Sequence, residues 1–244
     1  MPRSHGKDAQ LFVDEFNFSG VVMTLGVSIR QSNGEVTAFA DADATFVPGK
    51  PGWRQNPRGL WSAASPNYDG EMFTDLTSRQ RLVGSWPIGA TAANRGYEGR
   101  SDIGAVPIRS EGNGVIALDV AWEGNDQLVR AHSMYRNTAI TATANGSGIN
   151  AGAIAASEIG VGILRVMSAS GTAPTLNVVI ASAATDAWPG TSRITFAQAT
   201  GATFERLTVA GAITDAWWRA QLTVGGTTPS FDVLIAFGIV PGPA

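Results

Sequence analysis

Apolar residues recur at every second position in short runs, and that spacing fits a strand and not a helix. Leu176, Val178 and Ile180 form one such run; Phe231, Val233, Ile235 and Phe237 form another. The runs are cut at regular intervals by Gly- and Pro-containing stretches: 170–174, Trp188-Pro189-Gly190, Thr200-Gly201 and 225–229. Six strands are expected here: Gly160 to Ser168, Thr175 to Ala181, Ser192 to Ala197, Phe204 to Ala210, Trp217 to Val224 and Ser230 to Ile239. Short strands at even spacing, with turn chemistry between them, predict a β-sandwich or jelly-roll.

The first half carries the same signal. A polar arm ending at Ala9 runs into Leu11 to Phe18. Val21, Met23, Leu25, Val27 and Ile29 then fall on one face at period two. Ser32-Asn33-Gly34-Glu35 reads as a turn, because Asn-Gly tolerates positive φ. Glu35 to Phe46 resumes the alternation, with Asp41 and Asp43 on the side opposite Val36, Ala38, Ala40 and Ala42. Pro48 to Gly52 is expected to end that strand. Trp53 to Trp61, Val83 to Ile88, Ala93 to Arg100, Ile103 to Arg109, Gly114 to Trp122 and Gln127 to Ile140 read as further strands or loops. One helix is expected after Asp69, which can cap it, with Glu71 and Asp75 early and Arg79 and Arg81 late.

Two domains are therefore expected: an all-β domain with one flanking helix over residues 1–145, and a smaller jelly-roll-like β-sandwich over 159–244. Asn145-Gly146-Ser147-Gly148 and the small residues around it read as a linker over 146–158. With 244 residues the chain is long enough for both.

Composition narrows the function. Only 15% of residues are charged, against about 25% in an average globular protein. Few charges remain to solvate a surface, which points to faces covered by other chains. A net charge of −3 argues against a grip on nucleic-acid phosphates. The absence of cysteine excludes disulfides and thiolate metal sites. The N-terminus shows no apolar signal core, and no apolar run approaches the roughly 18–20 residues of a membrane helix.

Chemistry is sparse. The two histidines are His5 in the arm and His132 in an expected strand. A Ser-His-Asp group needs a His held by a carboxylate and facing a nucleophile. His132 and Ser133 are adjacent on a strand, which sends their side chains to opposite faces. No His pair stands at metal-ligand spacing, and no Gly and Glu complete a calcium loop after Asp41-Ala42-Asp43. Asn94 to Arg100 lacks the Lys-Ser/Thr and the strand-to-helix switch of a phosphate loop and reads as a plain loop. No catalytic residue, cofactor or metal is expected. Seven tryptophans raise a carbohydrate-binding alternative: Trp217-Trp218 on a strand must put one ring in and one out, and Trp188 lies beside a turn.

The arm leading into Leu11-Phe12-Val13 resembles the start of the tail tube proteins of long-tailed bacteriophages. So do Phe39 to Gly49, Gly59-Leu60-Trp61 with the helix after Asp69, and Asp119-Val120-Ala121-Trp122 followed by Leu128 to Ala131. The second block resembles sandwich modules appended to phage virion proteins. The resemblance implies a self-assembling structural virion protein in the phage tail, built in the host cytoplasm. It implies rings, hexameric or trimeric and pseudo-hexameric, stacked into a tube. The tape measure protein and DNA would pass through the lumen, with tail terminator and distal tail proteins at the ends and no membrane partner. It makes His5, Lys7, Phe46, Pro48 and Trp53 the ring-stacking candidates, and Glu35, Asp41 and Asp43 the lumen-facing candidates. A head decoration protein, a tail terminator or a carbohydrate-binding module are the alternatives.

Overall fold

The computed structural model describes residues 6–37, 43–61, 70–71, 80–110 and 116–242. A 3-10 turn at Gly6–Asp8 precedes eighteen strands. The first nine are β1 (Gln10–Val13), β2 (Phe16–Asn17), β3 (Val22–Thr24), β4 (Val27–Glu35), β5 (Phe46–Gln55), β6 (Arg58–Leu60), β7 (Arg81–Trp86), β8 (Arg95–Ala105) and β9 (Ile108–Ser110). The others are β10 (Ile116–Asp119), β11 (Ala121–Gly124), β12 (Val129–Ile140), β13 (Ala144–Asn145), β14 (Ile149–Asn150), β15 (Glu158–Ala183), β16 (Thr191–Thr195), β17 (Thr203–Ala210) and β18 (Trp217–Pro241). The all-β expectation holds. Of the expected helix, Gly70 and Glu71 are helical and residues 72–79 lie outside the described set, while Arg81, expected in its last turn, is the first residue of β7 instead. Asn94 to Arg100, read as a loop, is mostly the first half of β8.

Contacts divide the chain into two units. One comprises Met1–Gly20, Arg81–Gly99 and Val129–Ala244; the other comprises Val21–Gln80 and Arg100–Leu128. The expected boundary near residue 145 does not follow this division. β12 pairs along β18, and the stretch read as a linker pairs onto β18 through β13 and β14. The glycines there serve packing: a Cβ on Gly146 would stand 2.5 Å from the Met134 carbonyl oxygen, so only glycine lets the chain lie this close.

In the first unit, four strands, two of them long, replace the six expected after residue 158. β15 and β18 are paired antiparallel from Glu158↔Pro241 to Ala183↔Trp217. The stretches read as turns are bends within this ladder, with positive φ at Gly171, Ala173, Gly226 and Thr228. Thr172 still pairs Thr227 across the bend. The strand pair bends over its own core. Leu164 and Val166 before the bend meet Leu176, Val178 and Ile180 after it, and Trp218 stacks on Phe237 at 4.2 Å between ring centroids. Each fully buried aliphatic or aromatic side chain of this kind contributes about 1.5–3 kcal/mol.

The alternate positions of β15 and β18 face a second core. Val161, Ile163, Leu234 and Ala236 pack with Phe12, Leu82 and Trp86. Arg165 follows the same period-two phase and so enters an apolar interior, where it and Glu98 are both 0% exposed. Its Nη2 lies 2.6 Å from Glu98 Oε2 and donates to the Leu82 carbonyl at 3.0 Å, while its Nη1 donates to the Asp14 carbonyl. Glu98 Oε1 accepts from Trp86 Nε1 at 3.0 Å. Asp14, at a positive φ of 49°, accepts from Arg81 Nη1 at 2.7 Å and from the Leu82 amide at 2.8 Å. This network ties β1, β7, β8 and β15 together. A buried charge without such partners would cost several kcal/mol.

Candidate assembly surface

The second unit places its apolar residues differently. Among the described residues, the large apolar side chains that stand exposed are Met23, Ile29, Val36, Phe46, Val47, Leu60, Trp61, Ile108 and Ile116, with Ile88 alone in the first unit. The first unit, much the longer, hides its apolar groups; the second shows them. Exposed apolar side chains gathered in one unit mark a surface that another molecule covers.

Two features carry these residues. The first is a four-stranded sheet in the order β3-β6-β10-β9. Among the described residues β3 pairs only with β6, and β9 only with β10, so the sheet ends in two open edges. Ile108 stands opposite Leu118, and Ile116 lies two residues before Leu118 on the same face. Leu118 is buried while Ile108 and Ile116 are exposed, so this face is covered at one end and open at the other.

The second feature is the β4–β5 hairpin. β5 pairs β11 at Arg54 and Gln55, and β11 pairs the last part of β8. The turn expected at Ser32 to Glu35 is instead strand: Asn33 pairs Pro48, Gly34 pairs Val47 and Glu35 pairs Phe46. Asn-Gly permits a positive φ without demanding one, and here the pairing shifts register between Gln31 and Asn33 and then continues. Residues 36–45 make the connection, and the Val36 amide donates to the Thr45 carbonyl at 2.9 Å. Pro48 and Pro51 do not end the strand. They lie beyond the reach of β11, on the part of β5 with one neighbour, where a missing N–H is tolerated.

The named candidates separate into three groups. Phe46 is 56% exposed, with Val47 beside it at 52%. Glu35 and Asp43 are exposed on the same hairpin end, where Glu35 Oε1 accepts from Thr37 Oγ1 at 2.9 Å. Stacking and lumen candidates are therefore brought together rather than apart. Lys7 is exposed in the opening 3-10 turn. Pro48 is placed on β5, while His5 and Asp41 lie outside the described residues. Trp53 is a correction: it is 7% exposed and its Nε1 donates to the Asp126 carbonyl at 2.6 Å. Its indole lies against Gly124, where a Cβ would stand 2.3 Å from the ring. It is a core residue of its own unit.

Sequence reasoning missed Met23, Ile29, Ile108 and Ile116. Val21 to Ile29 is expected as a strand with its apolar residues on one face, but the chain breaks at Leu25-Gly26 between β3 and β4, and Met23 and Ile29 stand exposed. Period two identifies a strand without saying whether its apolar face meets the chain's own core or another chain.

His132 is 9% exposed. Burial, then the positive charges of Arg95 and Arg130, push its pKa below the ordinary histidine value, against a weaker opposing bond to the Ala93 backbone. Ser133 turns away, as expected, and donates from Oγ to the Ala90 carbonyl at 2.6 Å. Among the described residues no group of three or more His, Asp or Glu side chains is placed to hold a metal. A depressed histidine pKa makes neutral His132 the native form. Its contribution to stability is complete above the unfolded value of about 6.5 and is lost as pH falls below it. Urea unfolding at about pH 7.5 and about pH 5.5 should therefore show a loss of stability that is smaller in His132→Gln. An equal loss in both proteins would contradict this assignment.

No family model and no curated protein matches the sequence. Solved structures with a related course of chain include a protein of the virion of a native gene transfer agent particle, at 13% identity, with 52% of this chain and 97% of that chain covered and a TM-score of 0.42. A second is the SPP1 tail tube protein, at 9% identity, with 52% and 78% covered and a TM-score of 0.41. A third is the SPP1 Dit protein, described with the hub adsorption apparatus of phages infecting Gram-positive bacteria. It matches at 11% identity, with 95% and 99% covered and a TM-score of 0.37. At these identities the likeness concerns the course of the chain alone.

Proposed function

We propose that this chain is a structural virion protein that self-assembles into stacked rings, forming a phage tail tube through which the genome passes. The observation that carries the proposal is the concentration of exposed apolar side chains in the second unit, around a sheet with two open edges and a projecting hairpin. An edge strand is a hazard in a monomer and an assembly surface in an oligomer. β3 of one copy can pair with β9 of the next. Such a contact is head-to-tail, and repeated with closure it makes a ring.

The hairpin end supplies the second contact. Phe46 and Val47 would pack on the adjacent ring, and Pro48, Lys7 and His5 are proposed for the same role, while Glu35, Asp41 and Asp43 would present carboxylates toward the channel. Carboxylates there repel DNA phosphates and keep a passing genome from sticking. The rings would hold six chains, or three chains in a pseudo-hexameric arrangement. Tape measure protein and DNA in the lumen, terminator and distal proteins at the ends, assembly in the host cytoplasm and a non-enzymatic role all follow from this reading. Sedimentation of the purified chain tests it. Species much heavier than the 25.4 kDa chain support self-assembly, and a single species of that mass contradicts it.

A further inference from the structure

The β15–β18 ladder has an outer face that the proposed tube does not use. Leu176, Val178, Ile180, Trp218, Ala220 and Leu222 point into the core, so the alternate positions point the other way. Trp217, Arg219, Gln221 and Thr223 on β18 are all partly or fully exposed, and Asn177 on β15 stands opposite Thr223. Asn145 on β13 lies opposite Gln221. Across this stretch of β15 and β18, Arg219 is the one charged side chain. The rest are amides, hydroxyls, small residues and one tryptophan.

Trp188 adds a second, partly exposed aromatic ring. Its Nε1 donates to Asp186 Oδ1 at 2.8 Å, and the Arg219 guanidinium lies 4.3 Å from its ring centroid. That clamp also holds Arg219 in place over the outer face.

We propose that this face binds a neutral oligosaccharide. A sugar presents hydroxyls on its rim and C–H groups on its faces. Asn and Gln amides each offer both donors and an acceptor to a hydroxyl, and Arg adds donors in a fixed fork. An indole with one apolar side accepts the C–H face. Arg219 and the Asp186 carboxylate beside Trp188 are opposite in sign, which favours a neutral sugar over an acidic one or a phosphate. The two rings, Trp217 and Trp188, are each only partly exposed and stand among amides and hydroxyls, which suits a sugar better than an apolar protein partner. The inference does not depend on the tube: the face lies in the first unit, and the four-stranded sheet and the hairpin lie in the second.

Saturation-transfer NMR on the full chain tests it, with maltotriose, cellotriose, tri-N-acetylchitotriose and a rhamnose trisaccharide as probes. Transfer from at least one sugar is expected. Trp217→Ala and Gln221→Ala should each weaken it at least about tenfold, with far-ultraviolet circular dichroism unchanged, and Trp217→Phe should retain it. Absence of transfer from every sugar overturns the proposal, as does undiminished transfer in Trp217→Ala. A change in sedimentation on Trp217→Ala, without a change in sugar binding, also overturns it by making this face an interface between copies. Assembly seen by microscopy should be the same for all three variants, so failure here and failure of the tube reading are told apart.

Discussion

Glu98→Ala should lower the unfolding free energy by about 3–5 kcal/mol, the largest single-residue effect expected in this chain. The change leaves Arg165 with its charge buried and its carboxylate partner gone, since both side chains are 0% exposed and 2.6 Å apart. It also removes the acceptor of Trp86 Nε1. Two buried groups lose their partner at once, and each unmade bond costs more than a made one contributes. The double variant Glu98→Leu with Arg165→Met should recover part of the loss, because replacing a buried pair with apolar groups removes the desolvation cost. Recovery stays incomplete, because Arg165 also serves the Leu82 and Asp14 carbonyls. Urea unfolding monitored by tryptophan fluorescence measures all three. A loss below about 1 kcal/mol for Glu98→Ala would show that the network does not hold this unit together.

Phe46→Glu with Val47→Glu should abolish tube growth and leave the fold intact. Both side chains are more than half exposed, at 56% and 52%, so the protomer loses almost no burial. Surface changes of this kind alter stability by about 0.5 kcal/mol or less. An apolar anchor buried between rings is worth about 2 kcal/mol or more, and two introduced carboxylates add repulsion. Melting temperature should stay within a few degrees of the parent by the usual scaling, while long assemblies disappear. Tubes of normal length from the double variant would remove the hairpin from the stacking contact.

Much of the fold was legible because period two survives any tertiary arrangement. Leu176-Val178-Ile180 and Phe231 to Phe237 point inward as read, and Trp217 and Trp218 divide between outside and inside as their adjacency requires. What failed was the meaning given to glycine and proline. Gly171 and Gly226 bend a continuous ladder instead of ending strands. Gly146 permits close packing rather than a linker. Pro48 and Pro51 sit on a singly paired stretch of β5. Each residue type marks a local conformation, and only the neighbouring strand decides whether that conformation is a turn, a bend or an edge.

Of the proposed assembly residues, Phe46 was named through the resemblance alone, and it is exposed in the structure. Trp53 was misplaced because an aromatic next to a loop looks the same whether it caps a core or waits for a partner. The ion network was invisible: Asp14, Arg81, Glu98 and Arg165 are far apart in sequence, and a lone Arg within Val161 to Val166 gives no hint of its acid.

Negative-stain electron microscopy of the purified full chain tests the central claim most directly. Self-assembly through the second unit predicts rings, and stacks of rings lengthening with protein concentration. A uniform field of single particles the size of one chain, at every concentration, would contradict it.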